Sequence, residues 1–261
     1  MTYLHGVIFV EVKIKLVEKY SVVNDVHVHI GQSSDIVAEI DLRILLNFKQ
    51  LHGIHKMLIM GSDVSPITDN VTVTNLINSN PDIYGLYWYA HNAKPDMLKL
   101  TDKMIGIKYH GVYNDMPVTE MSKNMLEGLD KLKKVLLIHC GRYLEGDIKS
   151  HSSYLHGIAV ARQYPNIKVI LAHMGGTDTT VCKKAITHAA DLFNVYFDTS
   201  GITTPSIIEY ACDKISSDRI LFGSDMPWCS FNAMYYTVMD AQIDEDVKKE
   251  IMHHNFEYLL K

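Results

Sequence analysis

Short apolar runs recur along the chain, separated by stretches with an apolar residue at every third or fourth position. The first twenty residues differ. There Val10, Val12, Ile14 and Leu16 alternate with Glu11, Lys13 and Lys15. A period of two predicts a strand with one wet face, lying outside the main sheet. Val22–His29 then reads as a buried strand. Asp35–Leu51 reads as a helix, with Ile36, Ile40, Ile44 and Phe48 stacked four apart. Lys56–Met60 is the next strand, closed by Gly61-Ser62-Asp63. A helix near Asn70–Asn78, a strand at Ile83–Ala90, a helix at Pro95–Leu100 and a strand at Met104–Tyr109 follow.

The alternation continues. Glu120–Lys134 places Met121, Met125, Leu129 and Leu132 on one helical face, which reads as core packing. Val135–His139, Lys168–His173, Asn194–Asp198 and Arg219–Asp225 read as strands. Lys149–Tyr164 and Asp178–Leu192 read as helices. Thr204-Pro205 opens another, with a capping residue and a proline at the first position. Near-continuously apolar strands alternating with helices predict a parallel sheet covered by helices. About eight such units close a TIM barrel, a (β/α)8 fold. The open doubly wound alternative lacks its phosphate loop, since Gly31-Gln32-Ser33-Ser34 is not GxGxxG. No linker or low-complexity tract divides residues 1–261, so one domain is expected, with residues 1–20 as an N-terminal extension.

Composition narrows the class. The chain has 261 residues, 47% hydrophobic and 21% charged, as in ordinary globular proteins. A net charge of -5 argues against a nucleic-acid binder. No apolar run approaches the ~18–20 residues of a membrane span. Charges at Glu11, Lys13 and Lys15 break up any signal-peptide core. Cys140, Cys182, Cys212 and Cys229 show no CxxC spacing, so reduced thiols in a cytoplasmic protein are expected. The alternating N-terminal strand offers an edge for self-pairing, and hence a homodimer.

The strand ends carry the candidate chemistry. In Asp25-Val26-His27-Val28-His29 the two histidines share one strand face, and Val26 and Val28 share the other. Other ends supply Asp63, His91, Lys108 with His110, His139, His173, Asp198 and Asp225. Singly, such a histidine is an ordinary rim residue and such an aspartate a helix cap. Barrel closure brings all of them to one rim, where catalytic groups gather. His27, His29, His139, His173 and Asp225 form a nitrogen-rich set with one carboxylate. That set suits Zn²⁺, and also Mn²⁺, Fe²⁺ or Co²⁺.

With these residues in place, the chain resembles the amidohydrolase superfamily. Within it the likeness is to the amidohydrolase-2 branch that includes the aminocarboxymuconate-semialdehyde decarboxylase group. The matching pieces are Asp25–His29, Gly106-Ile-Lys-Tyr-His110, Leu137-Ile-His-Cys-Gly141 and Leu171-Ala-His-Met-Gly-Gly176. They continue with Val195-Tyr-Phe-Asp-Thr-Ser-Gly201, Leu221-Phe-Gly-Ser-Asp-Met-Pro227 and the tail from His254 to Leu260. The resemblance implies one divalent ion held by His27, His29, His139 and Asp225. It puts His173 beside the ion as an acid/base, or as a ligand of a second one. Lys108 is implied either as a plain ammonium or, if carboxylated, as a bridge between two metals; the single-metal form is favoured.

The groups suggest a mechanism. A divalent ion lowers the pKa of its water to about 7. Asp225 would take that water's proton and pass it to the leaving group, and His173 would steady developing charge on a carbonyl oxygen. Lys108, His110 and Arg142 give the mouth positive character, so a small substrate bearing a carboxylate is expected, with Arg142 gripping it bidentately. Gly175-Gly176 would let backbone approach the ligand, and Thr177 or Asp178 would cap the next helix. Hydrolysis of an amide, lactone or ester is the first expectation and non-oxidative decarboxylation the alternative. A silent binding barrel comes third, because no expected ligand position is replaced. Trp228 is placed either at the pocket mouth or under a loop, and Trp88 with its neighbouring tyrosines in the core. His151, His156, His253 and His254 are expected on solvent-facing helix surfaces, and Cys140 as a small core residue.

Overall fold

The computed structural model describes residues 22–34, 39–97, 100–141 and 150–261. Its main sheet has eight parallel strands, ordered β1 (Val23–His29), β4 (Ile54–Met60), β5 (Ile83–Trp88), β6 (Met104–Tyr109), β7 (Val135–Ile138), β8 (Lys168–Leu171), β9 (Val195–Asp198) and β10 (Ile220–Leu221). The expected period of strand and helix is therefore present, and with it the TIM barrel.

Closure between the last and first strands is carried by single hydrogen bonds. Val26 N–H donates to Phe222 O at 2.9 Å, Asp225 N–H to His27 O at 2.8 Å, and His29 N–H to Met226 O at 2.8 Å. The expected strand Arg219–Asp225 shrinks to Ile220–Leu221. The backbone turns out of the sheet after it, and Asp225 adopts a left-handed φ of 57°. β1 is irregular as well. Its register against β4 shifts between Val23 and Asp25 and again between Asp25 and Val28. Val26 and Val28 are both buried, but they pack into different apolar clusters rather than sharing one face.

Helices α1 (Leu42–His52), α2 (Pro66–Ser79), α4 (Lys123–Lys131), α5 (Tyr154–Gln163), α6 (Thr179–His188), α7 (Pro205–Lys214) and α8 (Phe231–Asp240) lie between or after the strands. Apolar side chains such as Leu45, Val73, Leu129, Ile158, Ile186 and Ile208 fill the layer between helices and sheet. Leu58, Met60, Leu86, Leu137, Ile170 and Leu221 form a second cluster. Phe256 and Leu259 of α10 (Asn255–Leu259) join it at the strands' N-terminal ends, where Lys168 Nζ donates to Leu259 O.

Two helix expectations change. α1 starts at Leu42, capped by Asp41, whose carboxylate accepts from Ile44 N–H. Glu39–Ile40 is a short strand, β3, paired antiparallel to β2 (Gly31–Gln32). A backbone already hydrogen-bonded to β2 is not free to begin the helix that the apolar spacing suggested. Lys94–Asp96 is likewise non-helical, because Ala93 pairs with Ala90 and draws the chain into a turn. α5 begins at Tyr154, so His151 lies before it and pairs with Asp115 at 3.4 Å. The N-terminal strand expected before residue 20, and the dimer edge built on it, lie outside the described residues. So does Arg142. No helix among the described residues is long and apolar enough to cross a membrane.

Candidate metal centre

The end of β1 places His27 and His29 side by side and buried. Their Nε2 atoms are 3.2 Å apart. Each ring's other nitrogen is already committed: His27 Nδ1–H donates to Asp198 Oδ2 at 2.9 Å, and His29 Nδ1–H to Gly61 O at 2.8 Å. Those acceptors fix the protons on Nδ1, so both Nε2 atoms carry lone pairs. The Asp225 carboxylate oxygen Oδ1 lies 3.3 Å from His27 Nε2 and 3.7 Å from His29 Nε2. These three atoms face one another as acceptors, an arrangement that suits a cation. Backbone and carboxylate partners on the far ring nitrogens are the usual support of metal-binding imidazoles. The residues therefore fit a divalent ion, with His27, His29 and Asp225 as donors.

Lys108 enters from β6. It is buried, and its Nζ donates to His27 Nε2 at 2.8 Å. Burial lowers its pKa to about 8, while the carboxylates of Asp225 and Asp198 pull the other way. Burial also holds His29 well below its ordinary value, helped by the charge of Lys108. A neutral imidazole is the form that binds metal.

His139 and His173 lie in the same nest but form their own pair. His173 Nδ1–H donates to Ser200 O at 3.1 Å, and His173 Nε2 accepts from His139 Nδ1–H at 3.1 Å. The His173 ring stacks on His27 with centroids 5.4 Å apart. Burial lowers the pKa of both rings, so both are neutral. His173 sits in a left-handed turn at φ 58°, as Asp225 does at φ 57°. For non-glycine residues such backbones cost about 1–3 kcal/mol and persist only where their surroundings hold them. Asp198 is one such hold, since its Oδ1 accepts from His173 N–H at 3.0 Å. His139 is not among the residues whose donor atoms converge.

His110 lies further out. It caps α3 (Gly111–Asn114), and its ring stacks on His139 at 3.9 Å. Burial and the Lys108 charge depress its pKa to about 2. It is an aromatic wall rather than a positive group, which corrects one third of the expected cationic mouth. Trp228 and Trp88 meet the His29 ring edge-on at 4.6 and 5.7 Å. The core placement of Trp88 and the mouth placement of Trp228 thus belong to one frame.

Other expected residues fall elsewhere. Asp63 accepts from the Ser34 hydroxyl, and His91 bonds Asn114 O. The missing Cβ atoms of Gly175 and Gly176 face Ala185 and Val181, so these glycines serve helix packing rather than ligand approach. Asp178 caps α6 as expected. Cys140 is fully buried and its thiol is pushed up by burial, consistent with a core residue.

Sequence reasoning missed the roles of Asp198 and Ser200. Burial would raise the Asp198 pKa, but the charge and hydrogen bond of His27, with His173 and Ser200, hold it well below the carboxylate range. Its one sequence signal was its position at a strand end among the histidines.

A family model described as Amidohydrolase matches residues 99–260. No curated protein matches the chain. Among solved structures it is similar to 2,6-dihydroxybenzoate decarboxylase from Rhizobium, at 17% identity and TM-score 0.69, covering 92% of this chain and 98% of that one. It is similar to 5-carboxyvanillate decarboxylase from Sphingomonas paucimobilis, at 13% identity and TM-score 0.71, covering 92% and 99%. A third is dihydroxybenzoic acid decarboxylase from Polaromonas sp. JS666 with bound manganese and the inhibitor 2-nitroresorcinol, at 14% identity and TM-score 0.67, covering 91% and 96%. At these identities the likeness is one of fold.

Proposed function

The chain belongs to the amidohydrolase family, and from that premise we propose that it is a metal-dependent, non-oxidative decarboxylase of a small carboxylic acid carried on a planar ring. The observation that carries this reading is the convergence of His27 Nε2, His29 Nε2 and Asp225 Oδ1 beside a buried lysine, under the edges of two indoles. His139 is proposed to complete the donor set, with Zn²⁺ or Mn²⁺ as the ion. The three structural neighbours are decarboxylases, and one of them holds manganese, which supports the choice. They favour decarboxylation over the hydrolysis that the sequence put first.

When bound, the divalent ion would polarise substrate oxygens and steady the negative charge that builds during the reaction. The protein groups have separate tasks. Trp88, Trp228, His110 and His139 are proposed to offer their aromatic faces and edges to a planar ring. Lys108 supplies a buried positive charge to an anionic substrate. As the ring–carboxylate bond breaks, CO₂ leaves and its electron pair stays on the ring carbon, which then takes a proton. Asp225, whose side chain is 14% exposed while that of His27 is fully buried, is the proposed proton carrier. His173, neutral and paired to His139, is proposed to hold the neighbouring proton network in place. A plain ammonium at Lys108 fits one ion; a carboxylated one would call for a second.

The test uses protein loaded with Mn²⁺ or Zn²⁺ and given ¹³C-carboxyl hydroxybenzoates in parallel with lactones, esters and amides. Labelled CO₂ that disappears in His27→Ala supports the proposal. A new carboxylate with no CO₂ would establish hydrolysis instead, and turnover of neither panel would favour a silent barrel.

A further inference from the structure

At the other end of the barrel a second group of donors converges. His55 stands near the start of β4, and five residues of strand put it about 17 Å from the strand's catalytic end. His253 and Glu257 come from the closing segment, where a π-helical turn (Glu250–His254) leads into α10. One ligand atom from each of the three lies within 4.8 Å of the others. His55 Nδ1 is 3.9 Å from Glu257 Oε1, and the two imidazole rings are 5.7 Å apart.

Glu257 is held as a ligand would be. Asn24 Nδ2 donates at 3.0 Å both to Glu257 Oε1 and to His253 O, so one side chain positions both helix residues. Lys56 pairs with Oε2. The ion pair therefore occupies the carboxylate oxygen turned away from His55, and Oε1 remains aimed at the histidines. His253 Nδ1 is buried and has no hydrogen-bond partner. His55 also lines a depression shared with Val22, Lys49, Gln50 and Gly53, so its imidazole is open to solvent on that side.

We propose that His55, His253 and Glu257 bind a divalent transition-metal ion, separate from the catalytic centre, that fastens the closing helix to the start of β4. Two imidazoles and one carboxylate select Zn²⁺, Co²⁺, Ni²⁺ or Cu²⁺ over Ca²⁺ or Mg²⁺. Zinc–nitrogen bonds of about 2.0–2.1 Å require the three donors to draw closer. His55, with its side chain 47% exposed, has the freedom to rotate inward. The link joins residues 202 positions apart in the chain, so an ion there stabilises the folded form alone.

The experiment measures Zn²⁺ equivalents after equilibrium dialysis, and the thermal midpoint with and without Zn²⁺. Wild type, His55→Ala and His29→Ala are compared. His55→Ala should bind one equivalent less than wild type and show a smaller Zn²⁺-induced rise in midpoint. His29→Ala should keep the equivalent that depends on His55, which separates this site from the catalytic centre. Should His55→Ala fold poorly, His55→Gln serves in its place. Equal Zn²⁺ binding by wild type and the His55 variant would overturn the proposal. So would loss, in His29→Ala, of the equivalent that depends on His55.

Discussion

His27 and His29 face each other through Nε2 atoms 3.2 Å apart, while Asp198 and Gly61 hold their opposite ring nitrogens. Neither ring can donate toward the other without breaking its far hydrogen bond. The pair is therefore set for a shared cation, and the groups behind it decide how firmly.

Asp198 is the strongest of those groups. Asp198→Asn keeps the shape but removes the charge that orients His27. Outer-shell changes of this kind cost about 10–100-fold in metal affinity. A chelator-competition titration should show a loss of that size. An unchanged affinity would mean that Asp198 supports only the His173 turn.

Lys108 separates two readings of the same position. Lys108→Met removes the ammonium beside His27, and a lost charge-assisted hydrogen bond corresponds to about tenfold or more in KM for an anionic substrate. Metal content should stay the same. A lysine that bridges two ions would instead give up bound metal on substitution. Because burial holds the Lys108 pKa near 8, its positive charge is lost as pH rises through that value, and kcat/KM should fall on that limb.

Asp69 gives a test on stability alone. Burial raises its carboxyl from 3.8 to about 6, against the hydrogen bond from Ser62 N–H. The folded protein thus holds this proton more tightly than the unfolded chain. The resulting stabilisation is complete below 3.8 and is lost as pH rises through about 6. Denaturant melts across this window should show wild type gaining on Asp69→Asn as pH falls. A constant difference would contradict the assignment.

Gly106 has no room for a side chain. A Cβ there would lie 1.9 Å from Val135 O, on the backbone of the neighbouring strand. Gly106→Ala must push β6 from β7, at a cost of about 3 kcal/mol or more. Chemical denaturation of the purified variant, or its failure to accumulate as folded protein, checks this.

The sequence made the barrel legible because each strand is a short apolar run ending in a polar residue. That placed His27, His29, Lys108, His139 and His173 at one rim. Boundaries failed where tertiary pairing overrode local spacing. Glu39–Ile40 joined β2 instead of α1, and the chain after Leu221 left the sheet to present Asp225. Asp198 was placed at the same rim but given no role, because its partner His27 lies 171 positions away in the chain. His110 looked cationic because its burial between His139 and Trp88 is a property of the fold. His253, expected at the surface, is partly buried by the π turn and α10.

The most direct test of the account is an anomalous difference map of crystals grown with Mn²⁺ or Zn²⁺, measured at that metal's absorption edge. A peak is expected bonded to His27 Nε2, His29 Nε2 and the Asp225 carboxylate, with Lys108 displaced from His27. Absence of a peak there, with Lys108 still hydrogen-bonded to His27 at saturating metal, would contradict it.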